Sequence, residues 1–140
     1  AGGGGAAASW TPEDYRSTLL DSTFTLCPTG NNPDTFRMYE AMEAGSIPVV
    51  IRTEKVAEAL RHLDTPESGV VWLEKWSDLP NLITSHWPMP NGGTVDRKNM
   101  PHSQRVKLRN LQHKVTSFWK KIQAKLMMDF GRELRRAEGE

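Results

Sequence analysis

Five consecutive residues, Ile47-Pro48-Val49-Val50-Ile51, follow a helical stretch that ends on Gly45, and this order constrains the fold of the 140-residue chain more than any other feature. A short continuous apolar run reads as a strand buried on both faces, the habit of parallel sheets. Pro48 stands near its start, where a missing N–H costs little. Upstream, Thr23-Phe24-Thr25-Leu26-Cys27 is β-favouring and alternating, and Pro28 bounds it. The segment from Pro28 to Asp34 is dense in turn residues and reads as a loop. Asp34 or Thr35 then caps a helix to about Ala44, with Gly45 as its terminator. Strand, loop, helix and strand make a βαβ unit, whose crossover should be right-handed.

Weaker alternation surrounds this unit. Thr11-Pro12-Glu13-Asp14 has the order of a capped helix start, and the helix should reach Leu20, burying Tyr15, Leu19 and Leu20. A helix over Glu54 to Leu63, a third strand over Gly69 to Leu73 and a helix from Ser77 to His86 follow. Residues 87–102 show no periodicity and read as a long surface loop. From Ser103 a long helix begins, with Leu108, Leu111, Val115, Phe118, Ile122, Leu126 and Phe130 as one apolar stripe. Gly131 is expected to bend or end it, and Met127 and Met128 to pack. The expected class is α/β, a Rossmann-like parallel sheet flanked by helices, with a long C-terminal amphipathic helix. Residues 1–10 are expected to form a flexible Gly/Ala tract, 11–102 the α/β domain and 103–140 the basic helix, packing on that domain.

Composition narrows the class further. No stretch approaches the ~18 apolar residues of a membrane span, and the Gly/Ala start lacks the pattern of a signal peptide. A lone Cys27 excludes an internal disulfide and any cysteine-based zinc site. Residues 1–96 hold six basic and thirteen acidic side chains, and residues 97–140 hold twelve basic and four acidic, so a net charge of +1 averages −7 with +8. A basic end suits a nucleic-acid footprint, a surface for an acidic partner or the solvated face of a long helix, and the last is the commonest case.

The chemistry concentrates at the first strand–helix junction. In open α/β sheets ligands bind beyond the carboxyl ends of the strands, and a helix N-terminus there seats a phosphate. Thr29, Gly30, Asn31, Asn32, Asp34 and Thr35 form that loop, with Gly30 allowing close backbone approach. Arg37 and Glu40 stand three apart on one helix face. Arg37 can fork two charge-assisted hydrogen bonds to a diphosphate, and Glu40 can accept from both hydroxyls of a ribose. The same spacing equally suits a plain (i, i+3) ion pair on a solvated helix, and spacing alone does not separate the two.

Phe24-Thr25-Leu26-Cys27-Pro28-Thr29-Gly30, Arg37-Met38-Tyr39-Glu40-Ala41 and Gly45-Ser46-Ile47-Pro48-Val49-Val50 together resemble the core motif of the exostosin-type glycosyltransferases. The run Gly30-Asn31-Asn32-Pro33-Asp34-Thr35-Phe36-Arg37 is more similar still to the ribitol xylosyltransferase branch. The good match covers about residues 15–51, and Trp76-Ser77-Asp78-Leu79-Pro80 extends it weakly. The resemblance implies the C-terminal, nucleotide-sugar-binding half of a GT-B enzyme, with Arg37 on the diphosphate and Glu40 on the ribose. It implies a UDP-sugar donor, a glycan or glycoprotein acceptor, a facing N-terminal domain that carries the catalytic base, and residence in the Golgi or ER lumen with the membrane anchor outside these residues. Asn32, eight residues before Glu40, stands where many such enzymes place an acid, and an amide cannot act as a carboxylate.

No Asp-x-Asp occurs, and His62, His86, His102 and His113 lack ligand spacing, so no metal and no resident cofactor are expected. Trp72, Trp76 and Trp119 read as core, while Trp87, in the loop, is the tryptophan best placed to touch a sugar. Two rival functions remain: a nucleotide-binding module without transferase activity, and a nucleic-acid binder using the basic helix. Nothing in that helix resembles a nucleic-acid motif, so no nucleic-acid partner is expected. A donor site without a facing domain suggests a piece of a larger protein.

Overall fold

The computed structural model describes residues 9–32, 36–86 and 100–139. The elements in order are α1 (Pro12–Asp21), β1 (Phe24–Leu26), α2 (Phe36–Ala44), β2 (Ile47–Ile51), α3 (Glu54–Ala59), β3 (Val71–Leu73), α4 (Leu79–His86) and α5 (His102–Glu138). One-turn 3-10 segments at Arg61–Leu63 and Trp76–Asp78 precede β3 and α4. The three strands form one parallel sheet in the order β1-β2-β3. The chain is therefore α/β, with a small parallel sheet, flanking helices and a long C-terminal helix.

The central strand is the apolar run. Ile47, Pro48, Val49 and Val50 are all buried, as a strand covered on both faces requires. Its odd-numbered residues face β1: Ile47 donates to the Thr23 carbonyl at 2.8 Å, and the Val49 carbonyl accepts from the Cys27 N–H at 2.9 Å. The even-numbered ones face β3, as the Arg52 N–H shows by donating to the Leu73 carbonyl at 2.7 Å. Pro48 thus lacks its N–H on the β3 side, one residue before that ladder begins at Val49↔Val71. A buried bond between Thr25 Oγ1 and Ser46 Oγ, 2.6 Å, satisfies the two hydroxyls that the β1–β2 pairing encloses.

Local chemistry sets the helix ends. Thr11 caps α1 by accepting from the Asp14 N–H, while Asp14 Oδ2 accepts from the Thr11 N–H at 3.0 Å, the reciprocal box read from the sequence. α2 ends in a Schellman turn: Ser46 N–H reaches the Ala41 carbonyl and Gly45 N–H the Met42 carbonyl, with Gly45 at φ 77°. Met38 and Met42 of α2, Val56 of α3, Leu60, Leu63 and Val115 of α5 close the core against Ile47 and Val50.

Several expectations need correction. Leu20 is 61% exposed, because only Leu19 of that turn points at the core. Trp76 is partly exposed rather than buried. α5 does not end or break at Gly131 but continues to Glu138. Its stripe is covered from Leu108 to Ile122, whereas Leu126, Met127, Met128 and Phe130 are exposed, because the sheet and its helices end before them. Trp87 and most of the expected long loop lie outside the described residues. Among the described residues no helix is long and apolar enough to cross a membrane.

Candidate functional site

The carboxyl end of β1 opens into a cleft of about 470 Å³ lined by Tyr15, Pro28, Thr29, Gly30, Arg37 and Glu40. That volume lies within the range of small-ligand pockets, ~300–1,000 Å³. Three elements build it. β1 delivers Pro28, Thr29 and Gly30 just past its last residue, α2 contributes Arg37 and Glu40 from its first turns, and α1 supplies Tyr15 from the side. A Cβ added to Gly30 would meet no atom within 4 Å, so glycine here keeps space in the cleft and is not demanded by the fold.

Four of the expected residues, Thr29, Gly30, Arg37 and Glu40, are thus brought together. Asn31 and Asn32 follow in the exposed loop and do not line the cleft. Asp34 and Thr35 lie outside the described residues. Tyr15 was expected only as a packing residue. It is half-buried, and its hydroxyl donates to Glu40 Oε2 at 2.6 Å. The signal available in the sequence was that an amphipathic tyrosine places a ring against apolar neighbours and needs a partner for its hydroxyl.

The charges in the cleft are not cancelled against each other. Among the described residues, Arg37 and Glu40 do not form the ion pair that their spacing allows. Burial pushes the Tyr15 phenol above its ordinary range, the Glu40 bond and charge push the same way, and the Arg37 guanidinium opposes them. Arg37 also opposes the burial that pushes the Cys27 thiol up to about 11. Its field therefore reaches both the end of β1 and the α1 side of the cleft. Arg52, directly after β2, is already engaged. It forks onto Asp64 at 2.7 and 2.8 Å and lies 4.6 Å from the Trp72 ring centroid.

A larger groove of about 760 Å³ runs between α2 and α5 over Phe36, Tyr39, Phe118, Trp119, Ile122 and Leu126. Its walls are mainly apolar, whereas the smaller cleft holds the charged side chains Arg37 and Glu40 with the Tyr15 hydroxyl. Among the described residues no three His, Cys, Asp or Glu side chains gather as a metal centre would need.

A family model described as the RXYLT1 C-terminal domain matches residues 6–130, a span that contains every residue lining the cleft. The chain belongs to that family. Ribitol-5-phosphate xylosyltransferase 1 of Homo sapiens is 29% identical to this chain over 115 residues, covering 68% of the chain and 25% of the relative. The Mus musculus protein of the same name is 30% identical over 95 residues, covering 56% and 21%. Exostosin-1 of Drosophila melanogaster is 31% identical over 78 residues, covering 51% and 10%. The chain spans a quarter or less of the length of these curated relatives. No solved structure matches it. This kinship makes it a glycosyltransferase-like domain.

Proposed function

We propose that the chain is the nucleotide-sugar-binding part of a GT-B glycosyltransferase, taking a UDP-sugar for transfer to a glycan hydroxyl. The observation that carries this reading is the cleft at the end of β1, where Arg37 and a tyrosine-held Glu40 face the same space without forming an ion pair with each other. Arg37 meets the diphosphate, and its fixed charge offsets the charge that develops as the diphosphate leaves. Glu40 accepts from ribose hydroxyls, and Thr29 and Gly30 give close, neutral contacts to the donor. The base that deprotonates the acceptor belongs to a facing domain of the same protein, in the lumen of the Golgi or ER. Because two relatives are named for xylosyl transfer to ribitol-5-phosphate, a UDP-pentose is the first donor to test, with a phosphorylated pentitol as acceptor.

Calorimetric titration of the chain with UDP tests the site. Arg37→Ala should weaken binding by ~1.5–3 kcal/mol, the scale of hydrogen bonds to a charged group. Undiminished affinity in a folded variant would sink the assignment. Turnover of a UDP-sugar in a longer form that includes the facing domain then separates a transferase from a binding module.

A further inference from the structure

We propose that Tyr15 is a positioning residue of this cleft: its hydroxyl holds the Glu40 carboxylate and keeps it from closing onto Arg37, so that both charged groups stay open to a nucleoside diphosphate. The inference rests on the donor-site reading above and adds a residue and a device to it.

Arg37 and Glu40 stand one turn apart on an exposed face of α2. Side chains at that spacing pair readily, and a closed pair would have to open before either could meet a ligand. In the structure Glu40 has another partner, the Tyr15 hydroxyl at 2.6 Å, and Arg37 reaches the same hydroxyl, so the phenol stands between the two charges. A neutral phenol satisfies the carboxylate without cancelling its charge. It takes one of roughly four acceptor positions and leaves the others for ribose hydroxyls. Tyr15 is itself held in place, because it sits on α1, whose start is fixed by the Thr11–Asp14 box and whose Leu19 is buried. The ring has only two side-chain torsions to order. Two elements, α1 and α2, thus have to agree for Arg37 and Glu40 to remain apart, which is the preorganisation a binding site needs.

The test is a double-mutant cycle read by calorimetry with two probes, UDP and inorganic pyrophosphate. Tyr15→Phe keeps the ring and its packing and removes only the hydroxyl. It should weaken UDP by roughly three- to tenfold, the value of one hydrogen bond. Pyrophosphate touches Arg37 but has no ribose, and it should weaken by about twofold as Glu40 closes onto Arg37. In the Glu40→Gln background, where no ion pair can form, the Tyr15→Phe step should cost pyrophosphate nothing further. An equal loss of pyrophosphate in both backgrounds would assign Tyr15 a packing role and overturn the inference, as would no loss in the native background. Failure of the native chain to bind either probe would take down the donor-site reading together with this one.

Discussion

Gly69 and Val115 meet so closely that one added carbon on Gly69 would stand 2.7 Å from Val115 Cγ2 and 3.1 Å from the Val115 nitrogen. This contact is where α5 docks against the turn leading into β3. Gly69 also has φ +73°, a left-handed conformation that costs a side-chain-bearing residue ~1–2 kcal/mol. Overlap with a packed helix adds ~1–3 kcal/mol. Gly69→Ala should therefore destabilise the chain by about 2–5 kcal/mol. Gly45 has a similar φ of +77°, but its added Cβ would lie an ordinary 3.5 Å from Thr116. Gly45→Ala should cost about half as much. Urea unfolding of the two variants compares them, and equal losses would remove the docking argument.

Glu40→Gln should weaken UDP more than pyrophosphate, by ~1–2 kcal/mol for the loss of charge-assisted bonds to ribose. Equal effects on both ligands would take Glu40 off the ribose.

The chain has two tyrosines, so a Tyr39→Phe background isolates Tyr15 for spectrophotometric titration. Its phenol should deprotonate above the ordinary value of 10.0. Glu40→Gln removes two of the causes and should bring the midpoint down, while Arg37→Ala removes the opposing charge and should raise it. A folded-state midpoint above the unfolded one means that stability from this group is fully present below pH 10. It is lost as pH rises through the folded value. No response to Glu40→Gln would contradict the 2.6 Å bond.

Burial holds the Cys27 thiol near pH 11, against an ordinary 9.0. At pH 8 the native chain should react slowly with an aromatic disulfide reagent, and the urea-unfolded chain rapidly, since the thiolate is the reactive form. The unfolded thiol ionises first, so stability from Cys27 is intact below pH 9 and falls between about 9 and 11. Equal rates for the folded and unfolded chains would place the thiol at the surface.

What the sequence made legible was mostly local. The Schellman stop at Gly45, the Thr11–Asp14 box and the position of Pro48 depend on residues a few places apart, and the structure has each of them. Arg37 and Glu40 were legible for the same reason. Tyr15 was not, because its partner is 25 residues away and only the packing of α1 on α2 brings the two together. Met127 and Met128 failed for a different reason. Periodicity tells which face of a helix is apolar and says nothing about how far along the helix a covering surface extends.

That limit makes α5 one object in geometry and two in energetics. Its first half, through Val115 and Leu111, is pinned to the core and cannot loosen unless the sheet does. Beyond Ile122 about sixteen further residues carry the helix ~24 Å onward at 1.5 Å each. Exposed there, they have local support such as the Asp129–Arg132 and Glu133–Arg136 contacts. Isolated helices of that length are marginal in water, so the far half should open without requiring the docked half to open. Amide exchange along a single unbroken helix should climb from core-like protection to near-peptide rates within two or three turns of Ile122.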